Sequence, residues 1–320
     1  MKAAVIHTVG EPPRYDDFVA PTPRDDEVLV HVSAASITNI ARMRAAGTHY
    51  SRREELPAVA GIDGVGRTED GTRVYFGGPR APYGTMAEVS LSPRAWIAPV
   101  PDALDDATAA ALPNAGISAW LSLSHTAGLR SGESVLVLGA TGVTGRLAVQ
   151  AAKQQGAGRV VAAGRDTTSL ARLTELGADA TIKLDAPDID LAAEFANAAE
   201  GGFDVVIDYL WGAPTEALIR SVSRGDLTPA TSRTRLVQVG EMAGPAISLS
   251  AAALRSSGLE IVGNGTGSMP GPEVLRAAFT QVMASAARGE LVIDTEAVPL
   301  SQVTDAWSRD AKGTRLVLVP

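Results

Sequence analysis

The sequence predicts an α/β protein in which a β-rich domain precedes a doubly wound parallel sheet of six strands. Three observations carry this expectation. An apolar run, Val135–Leu138, leads into Gly139-Ala140-Thr141-Gly142-Val143-Thr144-Gly145 and a small-residue helix, and a second apolar run, Val160–Ala163, closes on Gly164-Arg165. From Ser134 onward, strand and helix patterns alternate, as they do in parallel sheets. The first hundred residues instead carry glycine, proline and short β-branched runs.

The early strands are Ala3–Ile6, Glu27–Val32 and Arg73–Phe76, separated by proline or glycine turns, and together they suggest a partly closed β domain. Alanine-rich sequence around Asp105–His125, with Pro113 inside it, predicts helices leading into the second region. The six parallel strands are Val135–Leu138, Val160–Ala163, Ala180–Lys183, Asp204–Asp208, Leu236–Val239 and Leu259–Val262. Between the second and third, Asp166 or Thr167 is placed to cap a helix with apolar residues at 170, 173 and 176, and Gly177 supplies its stop. Residues 224–235 are polar and are expected to form a mobile loop. Val274, Leu275, Ala278, Phe279, Val282 and Met283 fall at helical spacing, and a final strand runs over Leu316–Val319.

Composition removes several classes of function. The chain has 320 residues, enough for two domains, and its 45% apolar and 20% charged content is ordinary for a globular protein. A formal net charge of −8 argues against a nucleic-acid or anionic-membrane partner. There is no cysteine, which excludes disulfides, thiolate catalysis and cysteine-ligated zinc. The segment Met1–His7 lacks the apolar stretch of a signal peptide, and no run reaches membrane-spanning length. The expectation is a soluble cytoplasmic protein acting on a small molecule.

The glycine-rich turn points to a dinucleotide. Glycines there let the backbone approach a pyrophosphate, whose charge sits at the N-terminus of the following helix. At the end of the second strand, where an NAD-binding unit normally carries Asp or Glu for the ribose hydroxyls, this chain has Gly164 and then Arg165. No carboxylate at that place repels a 2′-phosphate, and a guanidinium binds one bidentately. One such contact is worth about 1.5–3 kcal/mol, or about ten- to hundredfold in favour of NADPH. Asp166 beside it offsets part of that gain; alternatively it caps the helix and Arg165 is an exposed charge.

The order of parts resembles the medium-chain dehydrogenase/reductase superfamily over essentially the whole chain. The β-rich first part, the central glycine turn, Leu176-Gly-Ala-Asp179, Phe203-Asp-Val-Val-Ile-Asp208 and the short last segment carry the resemblance. The glycine turn also resembles the opening turn of atypical short-chain reductases, but those carry it near their start, and here it begins at residue 139. The closest likeness is to the zinc-independent quinone oxidoreductase branch. In Gly61-Ile-Asp-Gly-Val-Gly66, Ile62 stands where zinc-dependent members have a ligating His, and Thr38 falls near their first zinc Cys. The four histidines, at 7, 31, 49 and 125, show no metal-ligand spacing. The resemblance implies a GroES-like, partly closed β-barrel catalytic domain over residues 1–114 and a Rossmann domain over 115–264. It implies a returning segment over 265–320, and a homodimer joined through the sheet edge of the cofactor domain.

It also implies site residues. The NADP(H) contacts are Gly139, Ala140, Thr141, Gly142, Val143, Thr144, Gly145, Gly164 and Arg165 from the turn and second strand. By resemblance alone, Ser118, the Val239-Gly240-Glu241 loop, the Asn264-Gly265-Thr266 loop and Arg315 join them, although their glycines serve equally well as plain turns and Trp120 as core. Relatives often read Asn-Pro-x-Asp at the strand-to-helix step, with that Asn and a later Tyr facing substrate; here the stretch is Thr38-Asn39-Ile40-Ala41. Thr38 and Tyr50 are the preferred catalytic hydroxyls, with Asn39 next. His49 is a possible proton donor, balanced against simple exposure. Tyr83 lies in a loop that borders the cleft in relatives, and Met86 suits gap-filling.

Without zinc to polarise a carbonyl, the implied reaction is hydride transfer to a quinone or an α,β-unsaturated carbonyl, driven by proximity and orientation. Two alternatives remain open on sequence. One is a reductase specific for a metabolic enoyl thioester, for which Arg42, Arg44, Arg52 and Arg53 could form a basic patch. The other is a non-catalytic NADPH-binding redox sensor, kept open by the missing Asn and Asp.

Overall fold

The computed structural model describes residues 1–51, 55–185, 189–223 and 233–320. It divides into two compact units, Met1–Asn114 with Met283–Pro320, and Ala115–Val282. Residues 265–282, assigned on sequence to the returning segment, therefore cluster with the second unit. The greater part of the polar 224–235 connection, and Arg52 and Arg53 of the basic quartet, lie outside the described residues.

The chain opens with β1 (Lys2–Ile6), β2 (Arg14–Asp17), β3 (Glu27–Ser36), helix α1 (Asn39–Ala45), β4 (Ala58–Val59), β5 (Asp63–Thr68), β6 (Arg73–Gly77), β7 (Val89–Pro93) and β8 (Ile97–Pro99). Helix α2 (Asp106–Leu121) follows, then a π-helical turn over Ser122–Ala127, β9 (Ser134–Leu138), α3 (Val143–Gln154), β10 (Arg159–Gly164), α4 (Thr167–Glu175) and β11 (Ala180–Lys183). Next come α5 (Leu191–Ala199), β12 (Val205–Asp208), α6 (Gly212–Val222), β13 (Thr234–Gln238), α7 (Ala251–Ser257) and β14 (Leu259–Gly263). The remaining elements are α8 (Pro272–Ala287), β15 (Thr295–Pro299), α9 (Val303–Ser308) and β16 (Arg315–Val319).

In the first unit a three-stranded sheet, β2-β1-β4, accompanies a seven-stranded one in the order β15-β16-β3-β5-β6-β8, with β7 also pairing β3. This is the partly closed, GroES-like β domain. Its core gathers Val30, Phe76, Leu316 and Leu318 with Val303 and Trp307 of α9. Met86 is buried in that core, in the gap-filling role its flexible thioether suits. The last strand is held in place by antiparallel pairing of Val317 with Ser36, which brings residues 315–319 beside the start of α1.

The second unit is the doubly wound sheet. Its six strands run parallel in the order β11-β10-β9-β12-β13-β14, so the chain winds outward from β9 to β11 and then restarts at β12 on the other side of β9. Continuous apolar runs suit strands covered on both faces, and Val135–Leu138 are buried throughout. Small residues Ala148, Ala151 and Ala152 bury the inner face of α3. Asp166, rather than Thr167, caps α4, its carboxylate accepting from the Ser169 N–H at 2.7 Å. Gly177 takes φ +107° just past the end of that helix. Pro113 lies inside a single helix, α2, where separate helices were expected.

Candidate functional site

The reversal of strand order between β9 and β12 creates the crevice in which open α/β sheets bind ligands, at the carboxyl ends of the strands. Gly139 leaves β9 with φ +83°, a left-handed conformation that glycine adopts without strain. The N–H groups of Gly139 and Ala140 both donate to the Ala163 carbonyl, at 3.0 and 2.9 Å, which ties the turn to β10. Gly142 closes the turn by donating to the Gly139 carbonyl at 3.2 Å. Gly142 is also the N-cap of α3 and has no side chain to cap it. The first-turn N–H groups of Val143, Thr144 and Gly145 are therefore left for an external acceptor, and the helix dipole favours an anion there.

The third glycine lets helix and turn meet. A Cβ on Gly145 would lie 2.6 Å from Ala140 Cα and closer still to the Gly139 carbonyl oxygen. A Cβ on Gly164 would likewise overlap the Thr141 side chain, with Oγ1 at 3.0 Å. Uncapped N–H groups beside a backbone cradle that excludes side chains fit a pyrophosphate.

At the end of β10, Arg165 is exposed. The Asp166 carboxylate, which was expected to compete with it, is engaged in capping α4. Arg146 was not singled out in the sequence. It is buried on the first turn of α3 and donates from Nε to the Thr141 carbonyl at 3.3 Å and from Nη2 to Ser169 Oγ at 2.9 Å. It thereby locks the glycine turn to the first turn of α4. An Arg immediately after the third glycine was the available signal.

Across the crevice, the Asp208 carboxylate is fully buried and shapes the turn after β12. It accepts from Leu210 N at 2.8 Å, Trp211 N at 2.9 Å and Thr215 Oγ1 at 2.6 Å. Burial pushes its pKa above the usual carboxylate range, and those three donors pull it back. The Asp208 carbonyl also receives the Val239 and Gly240 N–H groups at 2.8 and 3.1 Å. Val239 and Gly240 are half-buried and Glu241 is exposed. Asn264 donates from Nδ2 to Ser122 Oγ at 2.7 Å, and Ser122 Oγ donates to the Ser118 carbonyl at 2.7 Å. Gly265 and Thr266 are exposed. The second unit thus carries every expected cofactor residue except Arg315.

Arg315 belongs to the first unit. It is buried, and Nη1 donates to the Ile37 carbonyl at 3.0 Å. Burial lowers its pKa to about 10, and the nearby Asp63 charge works against that fall. Asp63 on β5 is itself buried, accepts from the Tyr75 hydroxyl at 2.7 Å, and is raised by burial to about 6. Arg315 therefore secures the residue before Thr38. The Asp63–Tyr75 pair was invisible in sequence because 12 residues separate the partners and only strand pairing joins them.

Thr38 is buried and caps α1, its hydroxyl accepting from Ala41 N at 3.1 Å. Capping uses the oxygen and leaves the hydroxyl hydrogen available. Asn39 is exposed at the first helical position. Tyr50 is 71% exposed and stacks on His49, with ring centroids 4.2 Å apart. His49 is buried where exposure was expected, because Tyr50 covers it and Ser51 N donates to its Nδ1 at 3.1 Å. Tyr83 packs edge-on against Phe18 with centroids 6.0 Å apart. Arg42 spends Nη2 on the Ala306 and Arg309 carbonyls, at 3.4 and 3.2 Å. Among the described residues, no three His, Asp or Glu side chains converge as a metal site, and no helix is long and apolar enough to cross a membrane.

The sheet order, the switch-point crevice and the glycine cradle define a dinucleotide-binding α/β protein with an appended β domain. The family described as zinc-binding dehydrogenase matches residues 143–284. The 2-methylene-furan-3-one reductase of Solanum lycopersicum is 31% identical over 71% of this chain, and the match spans 62% of that protein's length. An Emericella nidulans protein described as a "probable NADPH-dependent quinone reductase" is 26% identical over the full length of both chains. The quinone oxidoreductase of Thermus thermophilus, whose crystal structures include a complex with NADPH, superposes over 100% of both chains with a TM-score of 0.83 at 26% identity. The chain belongs to the medium-chain dehydrogenase/reductase superfamily, in its quinone oxidoreductase-like branch.

Proposed function

We propose that the protein is a zinc-independent, NADPH-dependent oxidoreductase that transfers hydride to a quinone or an α,β-unsaturated carbonyl. The observation that carries this is the glycine cradle at the head of α3, followed at the end of β10 by Gly164 and exposed Arg165, with Asp166 beside it capping α4. The names of the tomato, Emericella and Thermus relatives support the same chemistry.

NADPH supplies the hydride, from C4 of its reduced nicotinamide ring. The chain supplies binding and orientation. The turn 139–145 would hold the pyrophosphate by backbone N–H groups and Arg165 would read the 2′-phosphate, while Arg146 keeps the turn and α4 in register. In the first unit, the Thr38 hydroxyl is the favoured hydrogen-bond donor to the acceptor oxygen, with Tyr50 and Asn39 as further polar groups, and solvent would supply the proton that neutralises the anion left by hydride addition. Ile62 and Thr38 replace the family's His and Cys zinc ligands, and neither holds zinc well.

A quinone or simple enone fits better than an enoyl thioester, because Arg42 of the expected basic patch is committed to carbonyls of its own unit. The proposal includes a cytoplasmic homodimer. β14 is an outer strand of its sheet and exposes Val262, which supports pairing through that edge. Light scattering after size-exclusion chromatography tests the dimer.

The test of the activity is consumption of NADPH and NADH with a simple quinone and a simple enone. Faster loss of NADPH with either acceptor supports the proposal. NADPH binding without turnover on either would favour the sensor reading, and one equivalent of zinc in purified protein would refute the metal-free mechanism.

A further inference from the structure

The outer strand β11 ends on a lysine whose charge nothing nearby takes up. Lys183 is exposed, and its ammonium makes no hydrogen bond or ion pair among the described residues. Lys2 and Lys153, by contrast, are paired with Asp17 and Asp179 at 3.0 and 2.6 Å. Lys183 lies at the carboxyl edge of a parallel sheet, the edge on which such sheets bind their ligands.

Strand register fixes which way the side chain projects. β10 and β11 run parallel, with Ala163 opposite Ile182 and Gly164 opposite Lys183. The Leu184 N–H donates to the Gly164 carbonyl at 2.8 Å, which locks that register at the strand ends. Ala163 and Ile182 both face the core that holds Phe195 and Phe203. Successive side chains alternate between faces, so Lys183 projects from the other face, toward which a side chain on Gly164 would also point. That is the face of the phosphate turn, since a Cβ on Gly164 would lie 3.0 Å from Thr141 Oγ1. Lys183 therefore stands one strand, about 4.8 Å, outward from the place at which a dinucleotide's ribose is read. Its flexible four-carbon stem spans that gap.

The neighbouring charges leave the ammonium to an external anion. Arg165, next to Gly164, is exposed and has no acidic partner among the described residues. The Asp166 carboxylate accepts from Ser169 N as the cap of α4. Asp185, in the turn after β11, is exposed and pairs with neither cation. Arg165 and Lys183 are thus two unpaired cations on adjoining strand ends.

We propose that Lys183 is a second cationic ligand of the adenosine 2′-phosphate, so that the phosphomonoester is met from two neighbouring strands. This rests on the NADPH reading of the glycine turn and Arg165. A lysine on an outer strand also keeps that edge from pairing with another chain, and the experiment separates the two roles.

Lys183→Gln removes the charge and keeps a polar side chain. Binding of NADPH and of NADH to this variant, to Lys183→Arg and to Arg165→Ala is measured by titration calorimetry, with light scattering to follow association. In Lys183→Gln the NADPH dissociation constant should rise about tenfold, the low end for a charge-assisted bond because the group is exposed. The NADH constant should be unchanged, and Lys183→Arg should bind NADPH as wild type does. An unchanged NADPH constant in Lys183→Gln, whether or not that variant associates, or equal weakening of both dinucleotides would overturn the assignment. A preference for NADPH that Arg165→Ala abolishes and Lys183→Gln preserves would overturn Lys183 alone. Wild-type protein that binds NADH as tightly as NADPH would overturn the 2′-phosphate reading itself, and the part of Lys183 with it.

Discussion

Alanine substitution at Gly142 and at Gly145 separates two reasons for a glycine in the same turn. At Gly145 a Cβ would approach Ala140 Cα to 2.6 Å, with the Gly139 carbonyl nearer still, so turn and helix must part by about 1 Å to reach ordinary carbon–carbon contact. Overpacking of that kind costs about 1–3 kcal/mol, and in a protein of this size that lowers the melting temperature by roughly 2–5 °C. The same displacement moves the N–H groups of residues 143–145 off the pyrophosphate, so NADPH affinity should fall at least about tenfold. Gly142 differs. Its φ of −76° suits alanine, and the nearest atom to a Cβ is the Gly139 carbonyl oxygen at 3.5 Å, an ordinary contact. Gly142→Ala should therefore leave stability within about 1 kcal/mol of wild type, because the chain-entropy gain is offset by the disfavour of alanine at an N-cap, while the added methyl obstructs the approach of the pyrophosphate. Thermal melts without cofactor, paired with NADPH titration, read both quantities. If Gly142→Ala binds NADPH normally, the backbone does not approach a phosphate there. If Gly145→Ala is neither destabilised nor weakened, the packing argument is wrong.

Further outcomes follow from single side chains. Arg165→Ala should raise the NADPH dissociation constant about ten- to hundredfold and leave that of NADH nearly unchanged; equal losses would remove the 2′-phosphate role. Thr38→Val should lose about 1 kcal/mol of stability with the cap and also lower turnover, whereas Thr38→Ser restores both; normal turnover in the valine variant would clear Thr38 of catalysis. Tyr50→Phe, at an exposed position, should lower turnover without moving the melting temperature, and an unchanged rate would end its candidacy. Asp63 is raised from 3.8 to about 6 in the folded state, about two pH units at about 1.4 kcal/mol each. Because the folded state holds this proton more tightly, the stabilisation is complete below pH 3.8 and is lost as pH rises through 6. Wild type should lose about 3 kcal/mol relative to Asp63→Asn between pH 4 and pH 7 by urea denaturation, and parallel curves would refute the burial argument.

Much of the second unit was legible because its signals are local. Val135–Leu138 and Val160–Ala163 are continuous apolar runs, Asp166 stands three residues before the N–H it caps, and Gly177 stands where a left-handed residue must end a helix. The strand limits moved by a residue or two, as at β13, which ends at Gln238 rather than Val239. The glycine turn was legible for the same reason, since its conformation is set by residues adjacent in the chain.

What sequence alone determined, then, was the class of fold, the parallel order of strand and helix, the glycine turn and the lack of cysteine chemistry. Each depends on short-range periodicity, on a residue's own backbone preference, or on composition. Tertiary structure decided the partners of buried polar groups. It turned Arg315 onto the Ile37 carbonyl and paired Asp63 with Tyr75 across a sheet. It put His49 under Tyr50, and it brought Tyr209 against Gly139 from a strand far along the chain, leaving one phenol without a protein partner among the described residues. The physical reason is that a buried polar group must find its partner in space, and the strand pairing that supplies it brings together residues that no local pattern connects.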